Sequence, residues 1–209
     1  MLEVIHIENS PVPSNCYIIF DKACRENCIV VDPGSEDSNK LFGTLESIGL
    51  IPQYIILTHE HFDHCWGVNA IREKYPNVKL ICSAECSNTI QDKKKNYSVF
   101  YEQPGFNVGS ADIIIENGDN FTWNDNIISF VFAQGHSASG VIFIIDNYIF
   151  TGDEFIKGVK TVTKLKTGSK EKLRISLKFL ASQQGNNLIV CPGHGEMFYL
   201  DDCVLDLVK

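Results

Sequence analysis

Ile55-Ile56-Leu57-Thr58-His59-Glu60-His61-Phe62-Asp63-His64 is the stretch from which the rest of the chain can be read. An apolar, β-branched run of strand type stops there at a cluster of ligand-type side chains. The same succession recurs at Phe130-Val131-Phe132 before Gly135-His136, at Tyr148-Ile149-Phe150 before Gly152-Asp153, and at Leu188-Ile189-Val190 before Gly193-His194. Five of the six histidines sit at these four strand ends. A glycine just ahead of three of the ligands lets the backbone turn or approach closely where a side chain would collide. Histidines scattered for packing or solubility have no reason to gather at such places, so the pattern points to one shared metal site. Residues two apart on an extended segment face the same way, so His59 and His61 can converge on one ion while Asp63 and His64, where the next helix begins, face a second. An aspartate beside an apolar run also calls for a cation or donors to offset its burial.

On these residues the chain resembles the metallo-β-lactamase-fold superfamily. The superfamily's His-x-His-x-Asp-His motif is matched by His59, His61, Asp63 and His64, and its later histidine, aspartate and histidine by His136, Asp153 and His194. The agreement runs from Asp32-Pro33-Gly34 to Pro192-Gly193-His194-Gly195. The resemblance implies a four-layer αββα sandwich, two mixed sheets flanked by helices. It also implies a partition of ligands: His59, His61 and His136 on the first metal, Asp63, His64 and His194 on the second, Asp153 on both. The implied cofactor is a pair of divalent ions, zinc first, with iron and manganese as alternatives. Such a pair activates water for hydrolysis without a protein nucleophile, and by resemblance Asp63 orients that water or takes its proton. No Gly-x-Ser-x-Gly elbow occurs, and Ser137 and Ser139 follow a histidine already assigned to metal.

Within the superfamily the pattern looks most like the glyoxalase II branch, the hydroxyacylglutathione thioester hydrolases, because an aspartate follows Gly152 and all seven ligands are present. The expected function is hydrolysis of a small ester- or thioester-like substrate. Two departures bear on glutathione itself: the Gly-Arg pair common downstream of the bridging aspartate is Thr161-Val162 here, and Gly135-His136-Ser137-Ala138-Ser139-Gly140 only approximates the branch's Gly-His-Thr-Pro-Gly-Ser. The competing reading is an iron-dependent, oxygen-handling enzyme of the same fold, such as a persulfide dioxygenase, in which Cys65 would have a part.

The 209 residues suffice for one compact domain over 1–209, and 44% hydrophobic content is ordinary for a globule. No signal peptide or apolar run of membrane-spanning length is visible, so a cytoplasmic location is expected. A net charge of −8 argues against grasping a phosphate backbone. The expected partner is therefore a small molecule, with neither nucleic acid nor membrane. Eight cysteines without an export signal read as free, buried thiols. The x3 spacings of Cys24/Cys28 and Cys82/Cys86 are the exception to weigh, as a further metal site or disulfides.

Periodicity predicts strands at 3–8, 15–20, 28–32, 54–57 and 78–82, helices through Leu41, Leu45 and Ile48, from Asp63 to Tyr75 and over 170–183, and several strands from Asp112 to Phe150. Turns are expected at Asn117-Gly118-Asp119 and Asn124-Asp125-Asn126. Basic residues crowd the segment after Asp153: Lys157, Lys160, Lys164, Lys166, Lys170, Lys172 and Arg174. Lys157 and Lys160 are candidates for binding an anionic part of the substrate. Against this, alternating Lys and apolar residues also suit a solvated strand edge.

Overall fold

The computed structural model describes residues 1–205, with only the backbone of Cys24 and Arg25. The Cys24/Cys28 pairing therefore lies outside the described residues. The chain forms two compact units, Met1–Ile114 and Ile115–Lys209.

The first unit is a six-stranded sheet in sequential order: β1 (Leu2–Glu8), β2 (Asn15–Asp21), β3 (Cys24–Val31), β4 (Ile51–Ile56), β5 (Lys79–Ser83) and β6 (Ile113–Ile115). β1, β2 and β3 form an antiparallel meander, after which β3, β4 and β5 run parallel. The change follows from the connections, since parallel neighbours need a crossover. Helix α1 (Asn39–Ile48) supplies the first, with Leu41 and Leu45 buried and Gly49 closing it in the left-handed conformation. Cys16, Ile18, Phe20, Val30, Ile55 and Leu57 share a core with Leu41, Leu45, Val68 and Ile71.

The helix expected from Asp63 to Tyr75 is two helices, α2 (Phe62–Cys65) and α3 (Val68–Lys74). A tertiary contact breaks it. Gly67 N–H donates to Pro33 O at 2.7 Å, and a Cβ on Gly67 would stand 3.0 Å from that oxygen. Two short helices, α4 (Ala84–Thr89) and α5 (Ser98–Tyr101), were not legible from periodicity.

The second unit is a sheet ordered β12-β11-β10-β9-β8-β7. Its strands are β7 (Asn120–Trp123), β8 (Asn126–Phe132), β9 (Val141–Ile145), β10 (Tyr148–Gly152), β11 (Ile189–Pro192) and β12 (Phe198–Tyr199). Asn124 and Asp125 both have positive φ, as the tight hairpin between Trp123 and Asn126 requires. Helix α6 (Lys170–Gln183) occupies the expected span and is capped by the Ser169 hydroxyl. It crosses between the parallel strands β10 and β11 and buries Leu180 with Ile142, Ile149 and Val190.

The lysine-rich stretch is not a strand edge. Gly158 adopts φ 74 and turns the chain back, Ile156 pairs with Val159 as an isolated bridge, and residues 160–169 form no strand or helix.

Candidate metal centre

In the first unit β3 and β4 run parallel, so their C-terminal ends emerge side by side with Asp32 next to Thr58 and His59. Asp32 is 2% exposed and adopts φ 46. Its Oδ1 accepts from Thr58 N–H at 2.8 Å, and its Oδ2 accepts from the Thr58 hydroxyl at 2.6 Å. Having spent its proton there, the Thr58 oxygen can only accept from His59 Nδ1, 3.0 Å away. Asp32 Oδ2 also lies 3.0 Å from His64 Nδ1. Both imidazoles thus carry their proton on Nδ1, which leaves the Nε2 lone pairs for a cation. His59 Nε2 and His61 Nδ1 face each other at 3.1 Å, while His61 Nε2 is on the side of the buried Glu60 carboxylate, 3.9 Å off. Asp63 Oδ2 stands 3.8 Å from His64 Nε2.

The backbone under this loop is fixed by Asp32-Pro33-Gly34. Ser14 Oγ donates to Asp63 O, and a Cβ on Gly34 would fall 1.5 Å from the same carbonyl. Only glycine fits there. Asp32, His59 and His64 are close enough to share an ion, but both Asp32 oxygens are engaged by Thr58 and His64. That makes Asp32 the group that orients ligands. In the sequence Asp32-Pro33-Gly34 is legible only as a landmark, because this role depends on the parallel pairing of β3 and β4.

In the second unit the three candidate ligands share an edge for a topological reason. β8 is antiparallel to β9, β9 to β10, and β10 is parallel to β11, so β8, β10 and β11 all point the same way. His136, Asp153 and His194 follow their C-terminal ends. Asp153 Oδ2 lies 3.6 Å from His136 Nε2 and 3.5 Å from His194 Nε2. Two donors held about 2.1 Å from one tetrahedral ion are about 3.4 Å apart, so these spacings are of the size a shared ion would need and are longer than good hydrogen bonds. The donor chemistry, neutral imidazole and carboxylate, fits divalent metal.

His136 is braced from two sides. Its Nδ1 donates to Val162 O at 3.0 Å, which puts the ring's lone pair on Nε2. Glu154, 3% exposed, accepts from Gly135 N–H with both oxygens at 3.0 Å and from His136 N–H at 2.8 Å. A Cβ on Gly135 would meet Leu173 Cα at 2.5 Å. Thr161 Oγ1 donates to Glu154 O. Thr161 and Val162, where glyoxalase II-like sequences have Gly-Arg, thus hold the His136 loop. Sequence reasoning missed Glu154, although a charged residue directly after a buried run was a signal for it.

Lys157 and His194 line one cavity of about 290 Å³, together with Glu196, Met197 and Phe198. The Lys157 ammonium sits 5.5 Å from the Phe198 ring centre. Lys160 is exposed and does not line that cavity.

Cys65 and Cys191 are buried, and desolvation pushes both thiols well above their ordinary range, with the charges of Asp63 and Glu60 adding to the effect at Cys65. Cys82 and Cys86 are free and buried, with no disulfide between them. Ser137 and Ser139 are buried with hydroxyls 3.2 Å apart, an arrangement that braces the loop.

The sequence profile of the metallo-β-lactamase superfamily matches residues 9–194. The chain belongs to this superfamily. It has the superfamily's α/β fold, built on two mixed six-stranded sheets with flanking helices, and His/Asp clusters able to hold metal ions. A probable metallo-hydrolase of Bacillus subtilis, YqgX, is 26% identical over 187 residues, 88% of this chain and 86% of that protein. A hydroxyacylglutathione hydrolase of Photorhabdus laumondii is 29% identical over 192 residues. That match takes in 91% of this chain, and the chain spans 65% of that protein's length. The solved structure of BLEG-1, a B3 metallo-β-lactamase, superposes with a TM-score of 0.86 at 25% identity, covering 95% of this chain and 94% of that one.

Proposed function

We propose that this metallo-β-lactamase superfamily member is a binuclear, zinc-dependent hydrolase cleaving an ester or thioester bond in a small anionic substrate. The observation that carries the reading is the fixed tautomer of three histidines. Thr58, Asp32 and Val162 hold protons on the Nδ1 atoms of His59, His64 and His136, so each Nε2 carries a lone pair that a Lewis acid can take. The ligand assignment follows the superfamily: His59, His61 and His136 for one ion, Asp63, His64 and His194 for the other, Asp153 for both, within a single functional domain over 1–209.

Bound divalent ions supply Lewis acidity and bring the pKa of water toward about 7. The rest falls to the chain's own groups. Asp63 orients the attacking water and receives its proton. Lys157, beside His194, holds the anionic part of the substrate, and Lys160 adds a weaker, remote attraction. Free, buried thiols suit a reducing compartment, which supports action in the cytoplasm. Among the described residues no helix is long and apolar enough to cross a membrane.

The test is elemental analysis of protein purified without metal supplement, followed by a panel of thioesters, lactones, phosphodiesters and β-lactams. Two zinc ions per chain and thioester or ester turnover are expected, with Asp153→Ala disturbing both ions. His6→Ala keeps metal and activity, because His6 is bound to Asn15 on β2 and belongs to neither ligand set. Lys157→Ala raises KM for an anionic substrate more than it lowers kcat, and Lys160→Ala does so less. A single ion, or iron with oxygen consumption and no hydrolysis, sinks the proposal.

A further inference from the structure

The segment before and through α5 carries aromatic rings that begin at a metal-ligand candidate and end in solvent. Tyr97 stands edge-on to His61, ring centres 5.1 Å apart, and Phe100 follows at 6.3 Å from Tyr97. Phe100 is 74% exposed and Tyr101 is 47% exposed. Tyr101 stacks on Phe62, the residue after His61, at 4.8 Å, and Phe62 in turn meets Trp66 at 5.8 Å.

This surface is not a loosely draped loop. Asn96 is fully buried, and its amide donates to Ile90 O and Phe106 O while its oxygen accepts from Ser98 N–H. Phe62 N–H donates to Asn96 O at 2.9 Å and ties the segment to the ligand loop. The anchoring holds Tyr97 at φ 67, a conformation that bulky residues seldom adopt. Such backbone strain persists only where the surroundings over-determine it, and it gathers at functional sites.

Single exposed apolar residues are ordinary. Here a rigid run of rings starts beside a candidate metal ligand. Next to it, with Trp66 5.9 Å from the Tyr101 ring, lies a cavity of about 180 Å³ lined by Trp66, Phe106, Glu36 and Glu102 among others. Those carboxylates repel an anionic group, whereas ring faces and edges favour a flat aromatic partner.

We infer that Tyr97, Phe100 and Tyr101 form the seat for an uncharged aromatic group of the substrate. The inference rests on the hydrolase reading for its substrate class, and it goes further by naming what the non-reacting part of that substrate is. An aromatic ester or thioester would place its ring on these side chains while the scissile carbonyl is held at the metal ligands.

The test has one arm that does not need catalysis. In a Trp123→Phe background Trp66 is the only indole of the chain, and metal-free protein is titrated with benzyl alcohol, butanol and benzoate while Trp66 emission is followed. Benzyl alcohol is expected to saturate the change at a concentration well below that of butanol, an alcohol of similar hydrophobicity, and of benzoate. Phe100→Ala, at an exposed position that leaves folding intact, weakens benzyl alcohol by roughly twofold to tenfold, the scale of one aromatic pair. In the second arm the ratio of kcat/KM for phenylacetyl over acetyl thioesters of N-acetylcysteamine falls by the same factor in Phe100→Ala.

Butanol matching benzyl alcohol, or benzyl alcohol binding unaffected by Phe100→Ala, overturns the inference. So does a dimer by sedimentation that Phe100→Ala abolishes while benzyl alcohol fails to bind, since the rings would then be an interface between copies. Benzyl alcohol bound with the expected Phe100 dependence, but no hydrolysis of any ester or thioester, leaves the aromatic seat standing and removes the hydrolase reading instead.

Discussion

Asp32→Asn isolates the role of one buried carboxylate, because asparagine has the same shape and tolerates the positive φ found at this position. Asp32 accepts three hydrogen bonds, from Thr58 N–H, the Thr58 hydroxyl and His64 Nδ1. The variant can keep its carbonyl oxygen on Thr58 N–H. Its NH2 then replaces Oδ2 and faces two donors. The Thr58 hydroxyl can rotate and accept, but His64 Nδ1 can accept only if its proton moves to Nε2, the atom a metal needs. If the proton stays, a buried donor faces a donor at a cost of about 1–3 kcal/mol in stability. If it moves, one metal loses a ligand, and loss of an orienting partner typically lowers affinity about 10–100-fold, or about 1.4–2.8 kcal/mol. Both routes give penalties of similar size, so urea unfolding of the metal-free protein and chelator competition of the loaded protein should be measured together. Nitrogen NMR of the His64 ring reports which route is taken. The expected result is a loss in one measurement or both, and a much smaller further loss of metal affinity when Asp32→Asn is added to His64→Ala. A full additional 10–100-fold loss in the His64→Ala background would refute the coupling between Asp32 and His64.

Glu154→Gln removes one of two acceptor oxygens from the clamp on Gly135 and His136, and should lower the unfolding free energy by about 1–3 kcal/mol in urea titration. If His136 is a ligand as proposed, metal should be lost to chelator sooner than from the unaltered protein, and unchanged stability and affinity would show that the clamp is dispensable. A thiol reagent at mildly alkaline pH should leave Cys16, Cys28, Cys65, Cys82, Cys86 and Cys191 unmodified in the native protein and react with the half-buried Cys203. Burial pushes Cys28 up to about 12, and rapid native-state modification of it would contradict the packing of β3. At Asp112 burial opposes ionisation, but the Leu80 amide at 2.8 Å and Arg72 at 2.7 Å outweigh it and hold the carboxyl below its ordinary 3.8. A lowered folded pKa means stabilisation that is present above the unfolded value and lost as pH falls through the folded one. Asp112→Asn should therefore cost about 0.5–1 kcal/mol at neutral pH, discounted for exposure of the pair, and the difference should vanish in urea titrations as pH falls through the folded value.

Much of the candidate site was written in local patterns. His59, His61, Asp63, His64, His136, Asp153 and His194 follow the C-terminal ends of β4, β8, β10 and β11, as the apolar runs before them had indicated. Helix α6 and the Asn124-Asp125 turn were equally legible, since helical periodicity and Asn/Asp turn residues are short-range signals.

Legible in the sequence are features whose causes lie within a few residues: strand runs, turns and the side-chain chemistry of each candidate ligand. The tertiary structure alone decided which proton each imidazole carries and which backbone is held still. Asp32 reaches His64 across 32 positions because β3 and β4 pair in parallel, and Glu154 reaches His136 across 18. The helix after Asp63 breaks at Gly67 for the same kind of reason, a hydrogen bond to Pro33. Side-chain spacing carries the period of a strand or helix, but strand register and loop docking arise from long-range pairing, and at these positions that pairing outweighs local preference.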